Sequence, residues 1–264
     1  MRWALGVSYN GQAYDGWQSQ PSGRTVQDKL EAALAKFARQ PVSTLCAGRT
    51  DAGVHGLMQV VHFDTPLQRD PFSWVRGPNT FLPPDIAVQW ARAVPDAFHA
   101  RASALARRYA YVLLESPVRP SVESGRVGWV FRPLDGAAMR AAAARLLGEH
   151  DFTSFRASAC QAPSPVKTMT RIDITARGEP EQRYWRFEFE ANAFLHHMIR
   201  NLMGSLVAIG QGQHPPEWIS DVLAARDRDA ASPTFSPNGL YFLGPVYAPH
   251  WGLPERTAAY DWLP

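Results

Sequence analysis

Along this chain the apolar residues switch twice between a period of two and a period near 3.6, in the same order each time. Residues 3–9 place Trp3, Leu5, Val7 and Tyr9 at alternate positions, the pattern of a half-buried strand. After a polar loop from Asn10 to Arg24, Thr25 stands where a helix N-cap belongs. Val26, Leu30, Leu34 and Phe37 then share one helical face, up to Pro41. Strands are predicted at 42–47 and 57–64, then a Pro- and aromatic-rich stretch, then a strand at 86–94. The second round starts with a strand over 107–115 that sets Tyr109, Tyr111 and Leu113 on one face. A helix over 135–147 carries Met139, Ala143 and Leu146. Strands at 170–176 and 184–190 precede a long apolar-faced helix at 194–209, a capped helix at 215–225 and a last strand at 240–247. Read as β-α-β-β-x-β twice, this is the order of ferredoxin-like halves. It predicts an α+β chain with a seam near 100–106: an N-terminal subdomain over 1–104, a C-terminal one over 105–250 and a tail over 251–264.

Composition removes several classes of function. With 264 residues and 45% hydrophobic content the chain can bury a core without staples. Two cysteines, Cys46 and Cys160, are too few for a disulfide framework or a four-cysteine zinc site. Charge-free runs such as Phe194–Ile199 are too short to span a bilayer. The first residues alternate, unlike the apolar block of a signal peptide. The expectation is a reduced, cytoplasmic protein with no membrane partner. The net charge of +3 leans only mildly toward a polyanion, but of 27 lysines and arginines only Lys29, Lys36 and Lys167 are lysines. Arginine is the better bidentate grasp for phosphate.

The chemistry-bearing candidates are few. Gly210-Gln211-Gly212 is a lone G-x-G without a third glycine, and no P-loop sequence is present. His196 and His197, placed on the predicted helix at 194–209, would point about 100° apart and so would not ligate one metal as an i,i+4 pair does. The loop Gly48-Arg49-Thr50-Asp51-Ala52-Gly53-Val54-His55 differs in kind. Its small residues let a ligand approach the backbone, and Arg49 and Asp51, two apart, project to the same side if the segment is extended. Asp51 either caps the turn or presents a reactive carboxylate. Phe98-His99-Ala100-Arg101 and Arg107-Arg108-Tyr109-Ala110-Tyr111 interleave cations with aromatics, as an RNA surface does and as an ordinary amphipathic strand does too. Arg200, among Ile199, Leu202 and Met203, calls for a carboxylate partner or reaches to solvent.

Taken together these segments resemble the tRNA pseudouridine synthase A family. The loop at 48–55 is similar to its signature. Further matches, in the family's order, are Tyr14-Asp15-Gly16-Trp17-Gln18-Ser19-Gln20, Phe98–Arg101, Arg107-Arg108-Tyr109, Asp151-Phe152-Thr153-Ser154-Phe155, Phe194–Asn201 and Gly239-Leu240-Tyr241. They span about residues 3–247. The resemblance implies the pseudouridine synthase fold, with two ferredoxin-like halves forming a continuous mixed sheet flanked by helices and an active cleft between them. It implies isomerisation of uridine to pseudouridine at positions 38, 39 and 40 of the tRNA anticodon stem-loop, by a homodimer with no cofactor and no metal. The alternatives are a non-catalytic RNA-binding module, which has no use for a phosphate-repelling Asp, and an Asp-dependent hydrolase, which would want further carboxylates for a metal.

The resemblance also assigns roles. Asp51 is the catalytic carboxylate by resemblance; Arg200 is the candidate for keeping it ionised on physical grounds, since a nearby cation lowers a carboxylate pKa. Arg49 fills the space left by a flipped base. Tyr109 contacts the flipped uridine. Phe98, His99 and Arg101 match the tRNA-contacting stretch, although Ala102 stands where a larger residue is common. Apart from the resemblance, Arg69, after the strand ending at Asp64, is a weaker candidate for a backbone contact.

Overall fold

The structure, a computed structural model, describes residues 1–179 and 182–254. Most of the predicted tail, residues 255–264, lies outside the described residues. Contacts divide the chain into two compact units: Met1–Arg107 with the stretch from Tyr241 to Pro254, and Arg108–Leu240.

The first unit runs β1 (Arg2–Tyr9), α1 (Val26–Ala38), β2 (Leu45–Cys46), β3 (His55–Asp64), α2 (Pro71–Asn79) and β4 (Ile86–Val94). β1 is antiparallel to both β3 and β4, with Leu5 opposite Val61 on one side and Ala91 on the other. The strand and its alternating inward residues are as read from sequence, but β1 is buried on both faces and not half-buried, because it lies between β3 and β4 with a core on each side. Trp3, Leu5, Val7 and Tyr9 join Trp17, Leu30, Leu34 and Trp74 in one core, while Ala4 belongs to a second core with Ala47, Val60, Phe98 and Tyr247. Thr25 and Asp28 form a reciprocal capping box on α1, a device whose loss costs about 1 kcal/mol.

α2 occupies the stretch that periodicity leaves open. Asp70 accepts the Ser73 N–H at 3.0 Å and Pro71 opens the helix, a start signal present in the sequence. Trp74 on α2 is fully buried against Trp3, Phe37 and Phe63, at ring separations of 5.8, 5.2 and 5.1 Å. The strand predicted at 42–47 shrinks to Leu45–Cys46, because the Thr44 N–H is taken at 2.7 Å by the Glu31 carboxylate rather than by a strand.

The unit boundary falls inside β5 (Ala104–Glu115). The second unit continues with β6 (Gly128–Val130), α3 (Gly136–Ala144), β7 (Gly148–Asp151), β8 (Val166–Glu179), β9 (Gln182–Ala191), α4 (Met198–Gly210) and α5 (Trp218–Ala225). Its strand order is β5-β9-β8-β7, with β6 parallel to β5. Trp185, Phe187 and Phe189 of β9 are buried. The buried Glu115 carboxylate accepts the Trp185 indole N–H at 2.7 Å and the Leu134 N–H at 3.2 Å, tying β5, β9 and the approach to α3.

β10 (Leu240–Tyr247) matches its predicted span, but from Tyr241 onward it groups with the first unit rather than with residues 105–240. The reason is pairing: Tyr241 and Phe242 run parallel to His55 and Gly56 of β3. β2 pairs antiparallel with β3 farther along, at Val61 and His62. The start of β3 thus takes a strand from the end of the chain and its far part takes β2. The Gly48–Val54 loop leaves the sheet as β2 ends.

Candidate active site

The loop between β2 and β3 is hydrogen-bonded along most of its backbone. The Ala47 N–H reaches the Val60 carbonyl at 2.8 Å. Gln59, fully buried, brackets the next residue: its Oε1 accepts the Gly48 N–H at 3.3 Å and its Nε2 donates to the Gly48 carbonyl. The Thr50 carbonyl accepts the Trp17 N–H at 3.0 Å, and the Thr50 and Tyr9 hydroxyls bond at 2.8 Å. Burial pushes the Tyr9 hydroxyl above its ordinary range, so it stays neutral in that bond. The Gly53 N–H reaches the Tyr14 carbonyl at 3.3 Å, and the Val54 N–H the Asp51 carbonyl at 3.1 Å.

Two glycines make this packing possible. Gly53 has φ +80°, open to glycine at no steric cost. At Gly16, with φ +92°, a Cβ would lie 2.7 Å from the Thr50 carbonyl oxygen, so a side chain there would push the Tyr14–Gln20 segment off the loop. Gly48 is different: a Cβ there would meet the Phe242 ring at an ordinary 3.5 Å.

Inside this frame Thr50 is buried, Arg49 is exposed and Asp51 half-buried. Thr50 is the inward anchor between Arg49 and Asp51. His55 closes the loop: its Nδ1 accepts the Gly11 N–H at 3.1 Å and its ring stacks on Tyr241 at 4.6 Å.

The stretch at 98–101 behaves otherwise than its composition suggests. Phe98 is fully buried, edge-on to Tyr247 and Trp251 at 5.2 Å each, so it presents no face to RNA and is corrected to a core residue. His99 is half-buried, and its Nδ1 accepts the N–H groups of Arg101 and Ala102 at 3.1 and 3.2 Å. Arg101 is exposed. His62 Nδ1 accepts the Ala100 N–H at 3.1 Å; burial, then the neighbouring His99 and Arg2, hold His62 down at about 4. Arg69 is exposed with its guanidinium 4.4 Å from the Phe37 ring centroid.

In the second unit Tyr109 is buried on β5, edge-on to the half-buried Phe194 at 5.1 Å. Arg200 lies in the first turn of α4, half-buried, where its Nε donates to the Phe235 carbonyl at 2.9 Å and its own carbonyl accepts the Phe235 N–H at 3.1 Å. The next residue, Asn201, is fully buried. Its amide donates to the Phe155 carbonyl at 2.9 Å and accepts from Thr234 and Arg228 at 2.7 and 3.1 Å.

The helix predicted from 194 begins only at Met198, because His197 takes φ +62° and ψ +2°, a left-handed position that ends helical geometry. The 100° separation of His196 and His197 therefore does not apply; their rings lie 4.0 Å apart. The His196 N–H donates to Cys160 Sγ at 3.4 Å. Burial alone would raise that thiol, but the N–H groups of Ala162 and His196, with Arg156, outweigh it and hold Cys160 below its ordinary range.

Residues 6–101 and 142–248 match the family described as tRNA pseudouridine synthase. This chain belongs to that family. It is 77% identical, over an alignment of 278 residues covering all of both chains, to tRNA pseudouridine synthase A of Paracidovorax citrulli (strain AAC00-1). It is 76% identical over 264 residues, again covering both chains fully, to tRNA pseudouridine synthase A of Polaromonas naphthalenivorans (strain CJ2). The residues that hold the Asp51 loop, Tyr9, Tyr14, Trp17 and Gln59, are not marked as loop supports by the sequence. Tyr14 and Trp17 do lie in one of the matched motifs.

Proposed function

We propose that this chain isomerises uridine to pseudouridine at positions 38, 39 and 40 of the tRNA anticodon stem-loop, with Asp51 as the reacting carboxylate. The observation that carries this reading is the half-buried Asp51 on a loop whose backbone is held on both sides of it, in a member of the tRNA pseudouridine synthase family. A carboxylate that merely capped the turn would not need so elaborate a frame.

The reaction breaks the C1′–N1 bond, turns the uracil and forms a C1′–C5 bond, while the C5 proton is lost and N1 gains one, so that the net change is a proton moved from C5 to N1. Nothing is oxidised and no group leaves, so a carboxylate in a closed pocket meets the demand. Stem uridines must leave the helix first, at a cost of a few kcal/mol. Arg49, exposed beside Asp51, fills the vacated space with a flat guanidinium. Tyr109 and Arg200 bind the uridine, the tyrosine through its ring. Arg101 and Arg69, both exposed, contact the tRNA backbone, with His99 shaping the turn that carries Arg101. Among the described residues no helix is long and apolar enough to cross a membrane. We place the enzyme in the cytoplasm as a homodimer.

The test is mass-spectrometric mapping of pseudouridine in unmodified tRNA treated with the purified chain. Conversion at 38–40 is expected. Conversion elsewhere only, or none, would refute the assignment, and sedimentation of the same sample reads the dimer.

A further inference from the structure

Arg107 sits in a run that sequence reads as RNA-facing, yet both its Nη1 and its Nη2 donate to the protein's own backbone. Its Nη2 donates to the carbonyls of Arg101 at 2.6 Å and Ala47 at 3.3 Å, and its Nη1 to Ala104 at 3.3 Å. Ala47 is 1% exposed, and it is the residue from which the Asp51 loop departs.

The turn at 98–103 is itself anchored from three sides. Its Ala100 N–H is held by His62 of β3, its Ala100 carbonyl accepts the Tyr247 hydroxyl of β10, and Ser103 and His99 close it at 2.8 and 3.0 Å. Arg107 therefore braces a fixed turn against the entry of the loop. At the entry the Ala47 N–H is taken by the Val60 carbonyl and Gly48 by Gln59, which leaves the Ala47 carbonyl to Arg107; the middle and the exit are held through Thr50 and Gly53. Serving three carbonyls, those of Arg101 and Ala104 and that of Ala47 from a separate segment, suits a planar fork with fixed donors and not a point charge.

We infer that Arg107 is a positioning residue for the isomerisation: it sets the entry of the Asp51 loop and does not grip tRNA phosphate. The inference rests on reading Asp51 as the reacting carboxylate. Displacing a reacting group by about 1 Å can cost on the order of 100-fold in rate, which is the effect expected here. A lost phosphate contact has a different signature. It weakens binding and lowers the slope of log affinity against log salt by about 0.9.

The experiment measures kcat, KM and the salt slope of tRNA binding for Arg107→Met and Arg107→Lys, with melting curves alongside. For Arg107→Met, kcat should fall about 100-fold, while KM stays within about threefold and the salt slope is unchanged. Arg107→Lys should fall between, and added ethylguanidinium should restore part of the Arg107→Met rate. A slope lower by about one with kcat intact at saturating tRNA would overturn the inference, as would full activity in Arg107→Met. If Arg107→Met does not fold, Arg107→Lys decides by the same two readings. Asp51→Asn, run in parallel, separates the two ideas: turnover by that variant refutes the reading of Asp51 whatever Arg107 does.

Discussion

The first unit carries its candidate carboxylate on a loop, whereas the second carries Tyr109 on a strand and Arg200 in the first turn of a helix. A strand or helix fixes its backbone through its own ladder of hydrogen bonds; on that backbone Tyr109 packs edge-on to Phe194 and Arg200 donates to the Phe235 carbonyl. The loop has no ladder. Its geometry is imposed by Tyr9, Tyr14, Trp17 and Gln59, drawn from β1, the segment after it and β3. The difference predicts where each unit is fragile: the loop through remote supports, the strand and helix mainly through the functional side chains themselves.

The largest effect expected is at Asp51. Asp51→Asn should lower turnover by at least about 10^4-fold with tRNA affinity within a few fold, because arginines supply most of the binding. Asp51→Ala must behave alike, which excludes deamidation as the source of any residual rate. Tyr109 comes next. Tyr109→Ala should lose the base stacking worth about 1–3 kcal/mol, seen in single-turnover rates. Tyr109→Phe separates ring from hydroxyl: near-normal rates would assign the contribution to stacking alone.

Arg49 should give a smaller, position-dependent loss. Arg49→Ala is expected to slow a uridine at stem position 39 about tenfold more than one at loop position 38, since a stacked base needs more help to leave, by up to a few kcal/mol. Equal losses on two anticodon stem-loops, each with one target, would reduce Arg49 to a phosphate contact. The smallest effect concerns the frame. His62 is held at about 4 in the fold against an ordinary value of about 6.5 when unfolded. The unfolded chain therefore binds the extra proton, so His62 stability is full above about pH 6.5 and drains as pH falls toward 4. The melting temperature should decline over that window, and His62→Asn should flatten the decline.

How far the sequence reveals this molecule follows the same division. The alternation in β1, the caps of α1, the spans of β4 and β10 and the Gly48–His55 loop are local patterns, and local patterns can be read from one chain. The supports of the loop are not local. Tyr9 is 41 residues from Thr50 and Arg107 is 60 from Ala47, and nothing beside either residue marks its partner. Phe98 was misread because interleaved aromatics and cations do not say which ring turns inward. His197 was misread because a left-handed residue outside glycine leaves no trace in periodicity. The placement of β10 beside β3 is a pairing choice among distant strands, which hydrophobic pattern alone does not settle.

That placement has a consequence for how the protein is made. The start of β3, where the Asp51 loop rejoins the sheet, is covered by Tyr241 and Phe242, which leave the ribosome only after all of Arg108–Leu240 has been synthesised. At roughly 5–20 residues per second the interval is on the order of ten seconds. Through that interval the nascent first unit has its loop sequence but lacks the strand beside His55 and the Tyr241 ring stacked on it. A chain stopped short of residue 241 would therefore contain Asp51 without a finished seat for it. The seat of the loop is thus completed by residues made more than a hundred positions after the loop itself.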